Sequence, residues 1–413
     1  MDTLARAAAS ALGRIPDGTV IASAALESSE PAPRGNALTA LILEHVAGRL
    51  GARVDPEARS VEDARKRARR APGIVLLRPR IAQGRLHLGA DVYASRRTVW
   101  TRARAPQSGP VAHAYVQAPI DAEVRSYLEP IAFEAPRVSK YREADPDIVA
   151  LACGDLDGDG GAELLTMTRS RVLSVKLRDG KVARLREARW EELAPIAPVP
   201  LRQPLGFVTI VEPAHAAQGT GYVDASLTDR SGSVRLDADL KLLRRMPFKA
   251  LPVAHATGCT WVVDLLLGEE LLACDSGDPP IAEGKLRHRS DAFASTFATT
   301  RAGEGRTVFA MRRDGAVVVK QRAEDVVVGR AGAQLAVADL DQDGDVEIMS
   351  TMDVLAPRFD ALEVRTLLAS GTVKTRYKLP VPTGVQAVAA CPSDGAGPRP
   401  VVLASQGEIW VVR

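Results

Sequence analysis

Apolar positions in the first part of the chain fall into two patterns. Residues 4–12 are Ala-rich and bounded by Leu4 and Leu12, which predicts a helix. Thr19-Val20-Ile21-Ala22-Ser23-Ala24 reads as a strand. Leu38, Leu41, Ile42, Val46 and Leu50 repeat at helical spacing between Asn36 and Leu50. Ser60-Val61-Glu62-Asp63 has the form of an N-cap for a third helix running through Ala71. Ile74-Val75-Leu76-Leu77 is a short continuous apolar run, the pattern of a buried strand. After a Gln83-Gly84 turn, Leu86, Leu88, Ala90 and Val92 alternate with His87, Gly89 and Asp91, and Thr98-Val99-Trp100 reads as one more strand. Helices interleaved with strands predict a small α/β domain over residues 1–130, with Pro119 to Pro136 as the linker out of it.

From about residue 137 the helical spacing disappears. Short apolar runs separated by Gly, Asp and Pro recur in units of roughly 40 to 50 residues, the period of a bladed all-β repeat. The units are Ile148–Trp190, Phe207–Met246, Leu251 to about Arg287, one around Val308–Val319, one ending near Leu379, and a last unit with three strands up to Val412. The last unit lacks an outer strand, and Pro136-Arg137-Val138-Ser139-Lys140-Tyr141 is placed to supply it. That exchange would close a ring and leave short edges. The expected fold is therefore α+β multidomain: an N-terminal α/β domain over 1–130, then an all-β six-bladed β-propeller over 137–413.

Two of these units carry an acidic loop between their first two strands. One has Asp155, Asp157, Asp159 and Glu163 at positions 1, 3, 5 and 9, with Gly160 at position 6. The other has Asp339, Asp341, Asp343 and Glu347 at the same positions, with Gly344 at position 6. Oxygen ligands at alternating positions around a Gly turn suit a hard cation of high coordination number such as Ca²⁺. An EF-hand is excluded, because position 12 is Thr166 or Ser350 rather than Glu, and the flanks read as strands.

Strand, D-x-D-x-D-G-x-x-E, strand resembles the FG-GAP or VCBS repeat of integrin-type β-propellers. The resemblance implies two structural Ca²⁺ sites. One is Asp155, Asp157, Asp159 and Glu163 with the Gly161 carbonyl; the other is Asp339, Asp341, Asp343 and Glu347 with the Asp345 carbonyl. The order of elements in the N-terminal region also resembles the α/β domain that precedes the propeller in TolB-like envelope proteins. The acidic loops are of the FG-GAP type and not the TolB type, so the shared order does not carry over a partner.

Composition narrows the function classes. Formal net charge is +3 with 54 basic and 51 acidic residues, which argues against a dedicated nucleic-acid surface. No apolar run is long enough to predict a transmembrane helix, and the N-terminus lacks a signal-type apolar segment. An extracytoplasmic protein whose targeting segment is absent from the chain, and a cytoplasmic protein, both fit. Among Cys153, Cys259, Cys274 and Cys391, the pairs 259–274 and 153–391 can each bridge in an oxidising compartment; buried free thiols are the other reading.

Catalytic signatures are missing: no G-x-S-x-G, H-E-x-x-H, P-loop or dinucleotide fingerprint occurs. His215 and His255 are expected on one rim, but no third ligand or carboxylate accompanies them, so they read as ordinary rim histidines. The Arg65–Arg70 basic run reads as a solvated helix face, and Trp100, Trp190, Trp261 and Trp410 as core. The expectation is a monomeric, non-catalytic, calcium-binding interaction module of the bacterial cell envelope with a protein partner. The alternative is a propeller that binds or degrades polysaccharide in its central channel.

Overall fold

The computed structural model describes residues 2–13, 15, 18–28, 31–55, 60, 62–63, 73–94, 109–129, 136–143, 145–159, 161–178, 180–197, 204–212, 220–246, 250–256, 259–264, 269–274, 288–289, 294–302, 306–313, 315–321, 324–368, 370–393 and 397–413. Two compact units emerge. The first centres on Met1–Ile131, and the second takes in Ala132–Ala302, Arg306–Leu340 and Asp345–Arg413.

In the first unit, α1 (Asp2–Leu12) and α2 (Gly35–Leu50) accompany a six-stranded mixed sheet. Its strands are β1 (Val20–Ser23), β2 (Glu27–Ser28), β3 (Arg53–Val54), β4 (Gly73–Ala82), β5 (Arg85–Ala94) and β6 (Ala112–Pro119), in the order β3-β1-β4-β5-β6 with β2 also on β4. β1 pairs in parallel with β3 and β4, while β4, β5 and β6 are antiparallel. The β4–β5 hairpin turns through Gln83 and Gly84, both at positive φ (52° and 68°), the combination that matches strand twist in a two-residue hairpin. Helical spacing puts Leu4, Ala5, Ala8 and Leu12 of α1 and Leu38, Ile42 and Val46 of α2 in the core, with Ile74, Val75, Leu76 and Leu77 of β4. On the sheet, buried Asp91 pairs with Arg78 at 2.7 Å and with His113 at 2.6 Å.

The short strands β2 and β3, the strand β6, and a helix have no counterpart in the sequence expectations. The helix is α3 (Ala122–Leu128), which lies within the stretch read as a linker. Asp121 caps it by accepting from Val124 N at 2.9 Å, and Val124 and Tyr127 are buried one helical turn apart. The helix expected through Ala71 and the strand at Thr98–Trp100 lie largely outside the described residues.

The second unit is built of antiparallel meanders. β12 (Gly206–Val211), β13 (Tyr222–Leu227), β14 (Ser233–Asp237) and β15 (Leu242–Met246) form one sheet. β16 (Ala250–Ala256), β17 (Cys259–Asp264), β18 (Glu269–Cys274) and β19 (His288–Arg289) form the next, with Cys259 directly opposite Cys274 in register. β20 (Ala294–Ala302), β21 (Arg306–Arg313), β22 (Ala316–Gln321) and β23 (Glu324–Arg330) form the third, and β24 (Leu335–Ala338), β25 (Val346–Thr351), β26 (Ala361–Leu367) and β27 (Val373–Pro380) the fourth. An eight-stranded sheet holds the remainder. It contains β7 (Val138–Arg142), β8 (Ile148–Gly154), β9 (Glu163–Thr168), β10 (Arg171–Arg178), β11 (Lys181–Arg189), β28 (Ala387–Ala390), β29 (Val401–Ser405) and β30 (Glu408–Val412), in the order β28-β29-β30-β7-β11-β10-β9-β8.

That large sheet is two four-stranded meanders joined by one residue pair, Lys181 with Arg142. β7 pairs with β30 over Val138–Arg142 against Glu408–Val412, so an early segment completes the meander of a late one. Reciprocal backbone bonds tie Arg137 to Arg413 at 2.7 and 2.9 Å. The first strands of successive meanders lie side by side in the cycle β8, β12, β16, β20, β24, β28, which returns to β8. Between neighbouring meanders sit apolar clusters, such as Leu165, Met167 and Val172 with Val223, Leu227 and Val234. Trp190 is fully buried in that cluster and Trp410 is 5 % exposed, so both are core; the side chains of Trp100 and Trp261 are outside the described residues.

Candidate metal centres in two acidic loops

Both acidic loops leave the first strand of a meander and enter the second. β8 and β9 flank the first, β24 and β25 the second. In each, three carboxylates converge so that one oxygen from each lies within 4.8 Å of the others: Asp155, Asp157 and Glu163 in the first, Asp339, Asp341 and Glu347 in the second. Asp159 and Asp343 stand outside these triads. Asp159 Oδ1 instead accepts from Gly161 N at 2.7 Å, which holds the turn.

The two loops share a covert anchor. Leu156 N donates to Glu163 Oε2 at 2.7 Å, and Leu340 N donates to Glu347 Oε2 at 2.7 Å. Position 2 thereby fixes the carboxylate of position 9, and both leucines are fully buried, which pins the loop start to the core. Position 4 is left-handed in both: Gly158 has φ 80° and Gln342 has φ 60°. Position 2 has no place in the ligand pattern expected from the sequence, although Asp-Leu-Asp repeats in both loops and marks it.

The surroundings differ. Asp157 is exposed and Glu163 half-buried, whereas Asp341 and Glu347 are buried. Burial raises the Glu163 carboxyl above its ordinary range; the Leu156 N–H opposes this, and Asp157, Asp155 and Asp159 push it further up. Glu347 Oε1 accepts from Thr366 Oγ1 at 2.8 Å, and Thr366 Oγ1 accepts from Arg376 Nε at 2.7 Å. Burial lifts the Tyr377 hydroxyl far above the ordinary phenol range, and the Glu347 charge adds to it. Each loop is also braced from the next meander in the cycle. Asp155 N donates to Glu212 Oε1 at 3.3 Å, just beyond β12, and Arg399 N donates to Leu340 O at 2.8 Å, just before β29. Glu212 carries no sequence signal, because its role depends on the approach of a neighbouring sheet.

The donor set fits calcium. Ca²⁺ takes six to eight oxygens at about 2.3–2.6 Å, so ligands facing across one ion stand roughly 4.6–5.2 Å apart. Carboxylate oxygens within 4.8 Å of one another are close enough to share one such ion. Each carboxylate oxygen keeps a second lone pair, so the bonds from Leu156, Leu340 and Thr366 leave coordination capacity.

Two residues before Asp155, Cys153 is bonded to Cys391, with Cα atoms 4.8 Å apart, joining the strand that enters the first loop to the end of β28. Of the other candidates, His215 lies outside the described residues and His255 is in β16. A cavity of about 290 Å³ is lined by Ser170, Arg171, Glu187, Arg189, Glu191 and Arg230. Its arginines face acids: Arg171 lies 3.3 Å from Asp145 and from Glu187, and Arg189 lies 3.6 Å from Glu187. The cavity is therefore charge-compensated.

No protein-family model matches the sequence, and no curated protein matches it. Among solved structures, the chain is similar to the soluble aldose sugar dehydrogenase from Escherichia coli at 12 % identity and a TM-score of 0.41, over 68 % of this chain and 99 % of that one. It is similar to AofleA from Arthrobotrys oligospora at 9 % identity and 0.40, over 68 % and 86 %. It is also similar to a chain of a nidogen–laminin complex at 7 % identity and 0.37, over 60 % and 94 %. At such identities and TM-scores no ligand or activity transfers to this chain.

Proposed function

We propose that the second unit is a six-bladed β-propeller of the FG-GAP type, that two Ca²⁺ ions staple it, and that it serves as a non-catalytic interaction module with a protein partner. The observation that carries the calcium reading is the recurrence of one carboxylate triad, with one Leu-to-Glu anchor, in two loops far apart in the chain. The cycle of first strands and the β7–β30 exchange support the six-bladed ring. In the proposed sites Asp155, Asp157, Asp159, Glu163 and the Gly161 carbonyl hold one ion. Asp339, Asp341, Asp343, Glu347 and the Asp345 carbonyl hold the other. The ion cancels the mutual repulsion of the carboxylates and fixes each turn.

The Cys153–Cys391 bond supports an oxidising, extracytoplasmic setting. An α/β domain over 1–130 ahead of the propeller gives a TolB-like order and favours the cell envelope.

The test is a thermal melt with Ca²⁺ and with chelator, on the parent and on Asp157→Ala and Asp341→Ala. Ligand at 100-fold excess over its dissociation constant stabilises by about 2.7 kcal/mol per site, so the parent rises with Ca²⁺ and each variant loses part of the rise. An identical melt for all three proteins in both buffers would reject calcium.

A further inference from the structure

The β16–β19 meander is the most thinly held of the four-stranded sheets at its outer edge. Its fourth strand, β19, has two residues, against five in β15, seven in β23 and eight in β27. β19 meets β18 at Glu269↔Arg289 and Glu270↔His288. The connection at the start of this meander is short as well. Thr257 and Gly258 are the whole of it between β16 and β17, where β24 and β25 are joined by the acidic loop Asp339–Asp345.

The end of the meander next to that connection places two cysteines together. Cys259 opens β17, Cys274 closes β18, and the two are direct register partners. The same place in other meanders holds Tyr222↔Asp237 and Val346↔Leu367. The kind of pair follows from the hairpin. Ala256 pairs with Cys259 across two residues, the spacing at which the flanking residues of a hairpin exchange both of their backbone bonds. The N–H and C=O of Cys259 are therefore committed to β16, and Cys259↔Cys274 is a non-hydrogen-bonded pair on the β18 side. Such pairs hold their Cα atoms about 4.5 Å apart, with both residues on one face of the sheet. A cystine spans Cα separations of about 4.4–6.8 Å. The Cys153–Cys391 bond, at 4.8 Å, lies at the same close end of that range.

We propose that Cys259 and Cys274 form a second disulfide, a cross-strand staple within the β16–β19 meander. It forms by exchange with a disulfide oxidant of the glutathione type. One cysteine thiolate attacks the oxidant to give a mixed disulfide, and the other displaces the remaining half. One S–S bond is made in the protein and one is broken in the oxidant. Two electrons pass to the oxidant, which leaves as two thiols carrying the two protons. A setting that bridges Cys153 and Cys391 supplies this chemistry. The two bonds do different work. Cys153–Cys391 spans 238 residues and ties one meander to another, whereas Cys259–Cys274 is local and pins the register of β17 on β18. A slip of one residue there would turn every side chain of a strand to the other face.

The test is peptide mapping of the full chain refolded in a glutathione redox buffer, alkylated in denaturant before any reduction, and cut after glutamate. Cleavage after Glu269 and Glu270 separates the two cysteines, so a peptide pair that holds together until reductant is added is expected. Cys259→Ser should gain one alkylated thiol, at Cys274, and keep the Cys153–Cys391 link. In the same variant the amides of β17 and β18 should exchange with solvent faster than in the parent, which reads the staple itself. Alkylation of Cys259 and Cys274 in the parent overturns the proposal, whatever the state of the other pair. So does a link from either residue to Cys153 or Cys391. Amide exchange unchanged by Cys259→Ser overturns the staple role.

Discussion

The two acidic loops share one ligand pattern and one Leu-to-Glu anchor, yet the chain holds them by different means. The first is open to solvent, and its Glu163 is crowded by three aspartates. Its support is covalent and comes from outside: a disulfide two residues upstream, where the second loop has Val337. In the second loop Asp341 and Glu347 are buried, and hydrogen bonds from Leu340 and Thr366 satisfy Glu347, with Arg376 behind Thr366. The lesson is that a ligand motif specifies an ion but not the stiffness of its site. Stiffness comes from residues that the motif leaves free.

Removing the position-9 carboxylate is the harshest way to break this comparison. In chelator, Glu347→Ala leaves the buried Leu340 N–H and Thr366 hydroxyl without their acceptor, at a cost of about 3 kcal/mol. Glu163→Ala loses one partly exposed bond and relieves repulsion, so about 1 kcal/mol or less is expected. Urea unfolding in chelator separates the two, and equal losses would dissolve the distinction.

Next in size is the covalent brace. Cys153→Ser should destabilise by about 2–4 kcal/mol in denaturant titrations, and reductant should lower the parent to the level of the variant. If the brace serves the first loop, the variant should lose calcium affinity there and keep it at the second. Calcium titrations in the Asp157→Ala and Asp341→Ala backgrounds report each loop alone.

A smaller effect than the loss of the brace tests the shared turn. Gly158 sits at φ 80°, so Gly158→Ala places a side chain in the left-handed region at about 1–2 kcal/mol. The second loop already bears that strain at Gln342, with φ 60°. A Gly158→Ala melt unchanged from the parent would mean that the first loop can refold its turn at will.

What the sequence made legible follows from range. Alternating carboxylates and the strands around them are local signals, and the three that converge in each loop are among the four that the spacing marks, with no signal to set Asp159 and Asp343 apart. The run 136–141 was legible as a strand in search of a partner, and β7 does pair with β30. Other features needed the third dimension. Free thiol and disulfide are indistinguishable in a sequence until β8 and β28 lie side by side. Glu212 and Arg399 matter only because neighbouring meanders bring them to the loops. The helix at Ala122–Leu128 was hidden by flanking prolines, although Asp121 and Val124 already had capping spacing.

The β7–β30 pairing also sets a schedule. A ribosome makes β7 first and must then make every other strand of the second unit before β30 exists. At about 5–20 residues per second that wait lasts on the order of tens of seconds. During it β7 is an open edge, the kind of template on which nascent chains aggregate. Its sequence is suited to waiting: Lys140 and Arg142 sit within five residues of strand, and charge is the common means of keeping an unpaired edge from recruiting the wrong neighbour.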